Sequence, residues 1–191
     1  MNIFYLDPDP KICAQYHCDK HVVKMIIEYA QLMSTAHRML DGIEYVDNSS
    51  GRRIKRWKLN DQRENIVYKA SHINHPSAVW TRSSVATYSW LYCLWVNCLN
   101  EYTHRYQKEH ACEKLRFALV NFPTNMKNDT WSEPPQAMPE ECKMSSSVAA
   151  YRQYYVMKKN GFARWTNRNI PDWYTNGVMD MLVADRFVSN V

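Results

Sequence analysis

A mostly α-helical bundle, compact and single-domain, with a short N-terminal extended arm and long irregular loops, is what this chain's patterning leads one to expect. Three observations point there. The 191 residues are 46% hydrophobic and 23% charged with only 4 Gly, enough for one substantial core and too regular for a linker. Apolar residues recur at three- and four-residue spacings over two long stretches. No internal repeat or low-complexity tract is present.

The elements follow in order. Ile3-Phe4-Tyr5-Leu6 is a short apolar run closed by Asp7-Pro8-Asp9-Pro10, where two prolines forbid regular continuation, so it reads as a strand or an extended arm. Asp9 then Pro10 suits a helix start, because a capping carboxylate and a proline both fit the unpaired first amides. Helix should run from there to Asp41, with a break near Cys18 and a stop at Gly42. Its buried stripe is Val22, Ile26, Ala30, Met33 and Leu40. His17, His21, Lys24, Glu28, Gln31 and Thr35 follow one another at helical spacing and fall within a sector of roughly 80°, one polar ridge.

From Ile43 to Ala70 the periodicity weakens. A turn at Asp47 to Gly51 leads into Arg52, Arg53, Lys55, Arg56 and Lys58 around Trp57, a basic excursion from the core. A second helix should begin near Pro76, bend at Ser83-Ser84 and continue to about Lys108, with Trp80, Tyr88, Leu91 and Trp95 on its apolar face. The prolines at 123, 134, 135 and 139 mark Phe122 to Cys142 as irregular; Ser145 to Lys159 is a further helix stopped at Gly161; aromatic residues punctuate the tail.

Composition bounds the function. Twenty-four Lys and Arg against 19 Asp and Glu give +5, which permits an anionic partner without proving one. Six cysteines in apolar or helical stretches, with no secretory leader, suggest a reduced intracellular compartment, hence a cytoplasmic protein. No apolar run approaches the roughly 20 residues of a membrane span, so no membrane partner is expected. Phosphate-loop and dinucleotide motifs are absent.

Glu28 is the strongest chemical candidate, mid-helix with Lys24 one turn before it and His21 two turns before it. The plain alternative is a solvated lysine–glutamate pair of a few tenths of a kcal/mol. His17 and His21, at i,i+4, could point two donors at one ion and so make a metal-dependent hydrolase, yet no third ligand is signalled and no metal or other cofactor is assigned. His72 and His75 flank Ile73-Asn74 before a helix start, where an anion or simple capping fits. The Arg52 to Lys58 run with Trp57 suits a phosphate-rich strand, or is a solvated hairpin arm.

The segment Asp19-Lys20-His21 through Lys24-Met25-Ile26-Ile27-Glu28-Tyr29-Ala30-Gln31, with Asn74-His75-Pro76 ahead of a long aromatic helix and an aromatic tail helix, resembles the pyrimidine-dimer DNA glycosylase superfamily, nearer its uncharacterised phage and bacterial relatives. The similarity covers most of the chain, not the loops Ile43 to Ala70 and Phe122 to Cys142. It implies a helical repair-type enzyme acting on an N-glycosidic bond in DNA or a nucleotide, Glu28 being the essential carboxylate and an N-terminal amine the nucleophile of a lyase step. Asn2 is too large to favour removal of Met1, so the amine is that of Met1 rather than the family's threonine, and Ile27 and Gln31 replace arginines that flank the family's glutamate. An α-amine, titrating at roughly 7.7 to 8, is partly neutral near physiological pH.

The expected catalytic set is Glu28, His21, Lys24 and Met1. The expected substrate contacts are His17, Gln31, Arg52, Arg53, Lys55, Arg56, Trp57, Asn74 and His75, with Trp80 and Tyr88 as stacking partners for an extruded base. A non-catalytic nucleic-acid-binding module is the main alternative. The enzymatic reading requires Glu28 to face an accessible hollow beside cationic neighbours, and the sequence leaves the base and the oligomeric state open.

Overall fold

The computed structural model describes residues 1–188 of the chain and is mostly helical, with one small β-hairpin. The order is α1 (Pro10–Tyr16), α2 (Asp19–Asp41), β1 (Ile43–Asp47), β2 (Ile54–Lys58), α3 (Pro76–Thr81), α4 (Val85–Tyr106), α5 (Arg116–Leu119), α6 (Ser147–Lys158) and α7 (Asp172–Val188). Short 3₁₀ turns lie at Gln62–Asn65, Ala111–Leu115 and Glu140–Cys142.

The helix boundaries are chemical. Asp9 accepts the amides of Lys11 and Ile12 at 2.7 and 3.2 Å, with Pro10 in the first turn of α1. The expected bend in the second helix is a full break: α3 ends at Thr81, and Ser84 caps α4 by accepting the Thr87 amide at 3.1 Å. Gly42 does end α2, through crowding rather than handedness. Its φ is −90°, and a Cβ there would stand 2.4 Å from the Arg38 carbonyl oxygen and 3.1 Å from Trp57 Cβ.

Helix α2 is the axis of the molecule. It packs against α4 on one side and α3 on another, and Trp95 of α4, fully buried, donates its indole N–H to the Ile26 carbonyl at 2.9 Å. The expected apolar stripe is buried, Val22, Ile26, Ala30 and Met33 completely and Leu40 partly. The expected polar ridge does not exist as one surface. His21 and Thr35 are buried, His17 lies beyond the end of α1, and only Lys24 is fully exposed, because a central helix is covered on most of its circumference.

The N-terminal arm is extended and forms no strand; Ile3, Phe4, Tyr5 and Leu6 are all buried. Such a segment must satisfy its own amides and carbonyls. Tyr29 Oη accepts the Phe4 amide at 3.2 Å, Cys13 Sγ donates to the Phe4 carbonyl at 3.2 Å and accepts the Leu6 amide at 3.3 Å, and Arg152 Nε donates to the Leu6 carbonyl at 2.8 Å.

The 43–70 excursion is an antiparallel hairpin, Ile43 opposite Lys58 and Asp47 opposite Ile54, followed by a strap held by one buried arginine. Arg38 donates to the carbonyls of Trp57, Glu64, Val67 and Tyr68 and pairs with the Glu64 carboxylate at 2.7 Å. A second buried network joins three regions: Arg105 binds Glu101 at 2.7 Å and Asp19 at 2.9 Å, and Arg168 returns to Glu101 at 2.8 Å.

Candidate functional site

The pinned arm delivers the chain's amine to α2. Ser77 Oγ of α3 donates to the Met1 carbonyl at 3.3 Å, and the Met1 nitrogen stands 4.0 Å from Glu28 Oε2. The other oxygen, Oε1, is 3.2 Å from Lys24 Nζ. One carboxylate therefore stands between two amines. Glu28 retains 16% side-chain exposure while Lys24 is 69% exposed, so the lysine is mobile surface charge and the carboxylate is held.

His75 completes the group. Its Nδ1 accepts the Ser77 amide at 3.1 Å and caps α3, which fixes the ring proton on Nε2, a donor. Burial, then the charges of the N-terminal amine and His72, hold its pKa below the ordinary histidine value against the opposing pull of Glu28. His72 takes a left-handed conformation, φ 49°, and accepts the His75 amide at 2.9 Å, closing the turn that aims His75; Asn74, in that turn, is exposed. Gln31, one turn beyond Glu28, is half-buried.

Several expected site residues belong to the core. His17 is fully buried, its Nδ1 bonded to the Cys13 carbonyl at 2.7 Å and its Nε2 to Tyr29 Oη at 2.7 Å, so neither nitrogen is free for a substrate or an ion. His21 is 6% exposed, stacks on Phe4 with ring centroids 4.1 Å apart, and meets Tyr155 Oη through Nδ1. It buttresses the arm and reaches no substrate. Because His17 and His21 face different hydroxyls, they make no metal pair, and no cluster of three ligating side chains occurs among the described residues.

The stacking partners need the same correction. Tyr88 is 1% exposed and bonds His37 and the Leu119 carbonyl; Trp80 is 6% exposed and donates to the Ser132 carbonyl; Trp57 is 8% exposed and anchors the hairpin against Gly42. Large rings are the side chains whose burial contributes most, and a core this aromatic consumes them. Of the basic run, Lys55 pairs with Glu44 at 2.9 Å and Arg56 lies 3.9 Å from Asp47, while Arg52 and Arg53 at the hairpin tip are exposed with no ion pair among the described residues.

Neither of two larger hollows, about 670 Å³ beside Tyr16 and Arg168 and about 680 Å³ beside Arg63 and Phe117, nor one of about 430 Å³ that Lys24 lines, includes Met1 or Glu28, so the hollow expected at Glu28 is not among them. The amine–carboxylate pair instead meets solvent through the partial exposure of Glu28, Gln31 and His75. Sequence spacing could not place Ser77 or Tyr29 in this arrangement, since both act through backbone groups of a segment more than twenty residues away. Among the described residues no helix is long and apolar enough to cross a membrane. No family model, no curated protein and no solved structure matches the chain.

Proposed function

We propose that this protein cleaves the N-glycosidic bond of a nucleotide unit in DNA, or of a free nucleotide, with the Met1 amine as nucleophile and Glu28 as the carboxylate that serves it. The carrying observation is the 4.0 Å separation of the Met1 nitrogen from Glu28 Oε2, at the end of an extended arm held at Met1, Phe4 and Leu6. The resemblance of the Asp19 to Gln31 segment to the pyrimidine-dimer glycosylases supports the same chemistry.

The steps follow from those positions. The α-amine, as its free base, attacks the sugar C1′ through its lone pair as the bond to the base breaks. Glu28, still a carboxylate at that point, stabilises the positive charge that develops on the sugar ring and then takes the proton that the newly bonded nitrogen sheds. His75, a donor at Nε2, supplies a proton or a hydrogen bond to the departing base or a phosphate. Ring opening gives an imine between Met1 and C1′; loss of the C2′ proton then expels the 3′ phosphate, and water hydrolyses the imine. If the amine does not form the bond, Glu28 is placed to activate water instead, and the base departs without an adduct.

Borohydride trapping tests this. The protein, its N-terminus verified by intact mass, is incubated with abasic, damaged, modified and plain oligonucleotides and with free nucleotides, then reduced and mapped. The expected result is an adduct on the N-terminal peptide that disappears when the amine is blocked. An adduct on Lys24 would reassign the nucleophile, and released base without an adduct would assign water attack. No adduct and no released base on any substrate would overturn the proposal in favour of a binding module that contacts phosphates through Arg52 and Arg53.

A further inference from the structure

The α3–α4 elbow carries two features that the amine–carboxylate pair leaves unused. The first is an aromatic cluster. Tyr5, Trp80, Trp90 and Trp131 pack edge to face or tilted, Trp131 lying 6.0 Å from Trp80, 6.0 Å from Trp90 and 6.5 Å from Tyr5 between ring centroids. Trp80 and Tyr5 are buried, yet Trp131 keeps 42% exposure. A ring braced on several sides that still keeps much of its surface in water is a preorganised stacking surface, and an ordered aromatic loses little freedom when a base covers it.

The second feature is Arg82, the residue that ends α3. Its Nη1 is buried without a hydrogen-bond partner. Every other buried or half-buried arginine among the described residues pairs with a carboxylate; Arg82 pairs with none. Burial lowers its pKa, and no charge among the described residues offsets that. A half-desolvated guanidinium without a counter-charge is unfavourable in the free protein, and a planar fork of donors matches a phosphate best.

The two features are stitched together. Residues 128–132 cross the elbow as a strap: the Val85 amide donates to the Asn128 carbonyl at 2.8 Å, Asn128 Nδ2 to the Ser83 carbonyl at 3.2 Å, and Trp80 Nε1 to the Ser132 carbonyl at 3.1 Å. Arg82 and Trp131 sit within the spans that those bonds close. The elbow is also continuous with the site, since Ser77, which holds the Met1 carbonyl, opens the same helix that ends at Thr81.

We propose that this elbow is a nucleotide subsite beside the reacting one, in which Arg82 binds a phosphodiester and the exposed face of Trp131 stacks on the unpaired base next to it. The inference rests on the reading that the substrate is a nucleic-acid strand, and it adds where the flanking nucleotide goes. It gives the protein a preference for a strand over a free nucleotide and for locally unpaired DNA over intact duplex, because a paired base cannot cover Trp131.

The test is equilibrium binding of a fluorescent single-stranded oligonucleotide and of its duplex by anisotropy, between 50 and 200 mM salt. It uses the unaltered protein and the variants Arg82→Gln, Arg82→Lys, Trp131→Ala and Trp131→Phe. For the single strand, Arg82→Gln should lower the slope of log affinity against log salt by about 0.7, the loss of one phosphate contact, and Arg82→Lys should restore it. Trp131→Ala should weaken single-strand binding about 5- to 150-fold, Trp131→Phe much less, and duplex binding should respond least. Thermal unfolding checks that each variant is folded; Arg82→Met, which keeps an unbranched stem and removes the charge, and Trp131→Leu, which fills the site without an aromatic face, take the place of Gln or Ala if either does not fold.

Equal affinity and equal salt slope in folded Arg82 and Trp131 variants would overturn the subsite while leaving the glycosylase reading to the trapping experiment. Loss of the adduct on blocking the amine, together with unchanged binding by all four variants, would support the chemistry and reject the subsite. Salt-slope loss at Arg82 in a protein that releases no base would support the subsite and reject the chemistry. A protein that binds no oligonucleotide overturns the subsite outright.

Discussion

His17 Nε2 and Tyr29 Oη stand 2.7 Å apart, and that contact sets where the chain begins. The His17 Nδ1–H donates to the Cys13 carbonyl at 2.7 Å, so Nε2 must accept from the tyrosine, which leaves the tyrosine oxygen to accept the Phe4 amide at 3.2 Å. One tautomer satisfies all three bonds. A histidine at the end of α1 and a tyrosine inside α2 thereby hold the buried arm whose first residue meets Glu28.

Tyr29→Phe should loosen that arm. The ring still fills its space, but His17 Nε2 and the Phe4 amide, both buried, lose their partner together, at about 1–3 kcal/mol for each buried group left unsatisfied. Urea unfolding should report the loss, and trapping of any adduct on the N-terminal peptide should fall with it, although Tyr29 touches no substrate. Unchanged stability would mean that Tyr29 does not hold the arm.

Glu28→Gln keeps the size of the side chain and removes its charge. Because the residue is 16% exposed and its lysine partner is 69% exposed, stability should shift by no more than about 0.5 kcal/mol. Turnover should fall by about 100-fold or more, the scale of a lost proton acceptor, while oligonucleotide affinity is retained. A variant that keeps full turnover would remove the carboxylate from the chemistry.

What the sequence made legible follows from which interactions are local. Asp9-Pro10, Gly42 and Gly161 are short-range signals, and helix ends fall at or near them, whereas Ser83-Ser84, read as a bend, is a full break between two helices. Glu28 and Lys24 were legible as a pair because i,i+4 neighbours meet on any helix. The Met1 amine was not, since its approach depends on Ser77, Tyr29, Cys13 and Arg152, drawn from four helices. Trp57, Trp80 and Tyr88 failed as surface rings for a related reason: spacing tells which face a residue occupies and not whether another element covers that face. The segments at 111–119 and 172–188 lacked a clean apolar period, and their helices are packed by contacts that periodicity does not encode.

Acid should unfold this protein through its histidines. Burial pushes the pKa of His17 and of His37 down to about 4, and that of His21 lower still. Each is neutral in the fold and takes a proton in the unfolded chain below about 6.5, so the unfolded state binds more protons and stability falls as pH drops from about 6.5 to about 4. His17 and His37 alone should remove on the order of 3 kcal/mol each across that window, a large part of a typical domain's stability. Urea midpoints at pH 7, 6 and 5 followed by circular dichroism should fall steeply, and His37→Gln should reduce the slope by about one proton. A midpoint that does not move between pH 7 and pH 5 would contradict the buried neutral imidazoles.

The hairpin separates anchoring from phosphate contact in neighbouring residues. Trp57 is buried against Gly42, so Trp57→Ala should cost about 3–5 kcal/mol and free the hairpin. Arg52 and Arg53 are exposed and have no ion pair among the described residues, whereas Lys55 and Arg56 already face Glu44 and Asp47. Arg52→Ser with Arg53→Ser should therefore leave stability within about 0.5 kcal/mol while lowering the salt slope for duplex binding by up to about 1.8, two phosphate contacts at roughly 0.9 each. Replacing the paired Lys55 by Ser should change that slope less, because a lysine already neutralised by Glu44 releases fewer counterions on binding. If the tip variant binds duplex with an unchanged slope, the basic run is a solvated hairpin and the phosphate contacts lie elsewhere on the molecule.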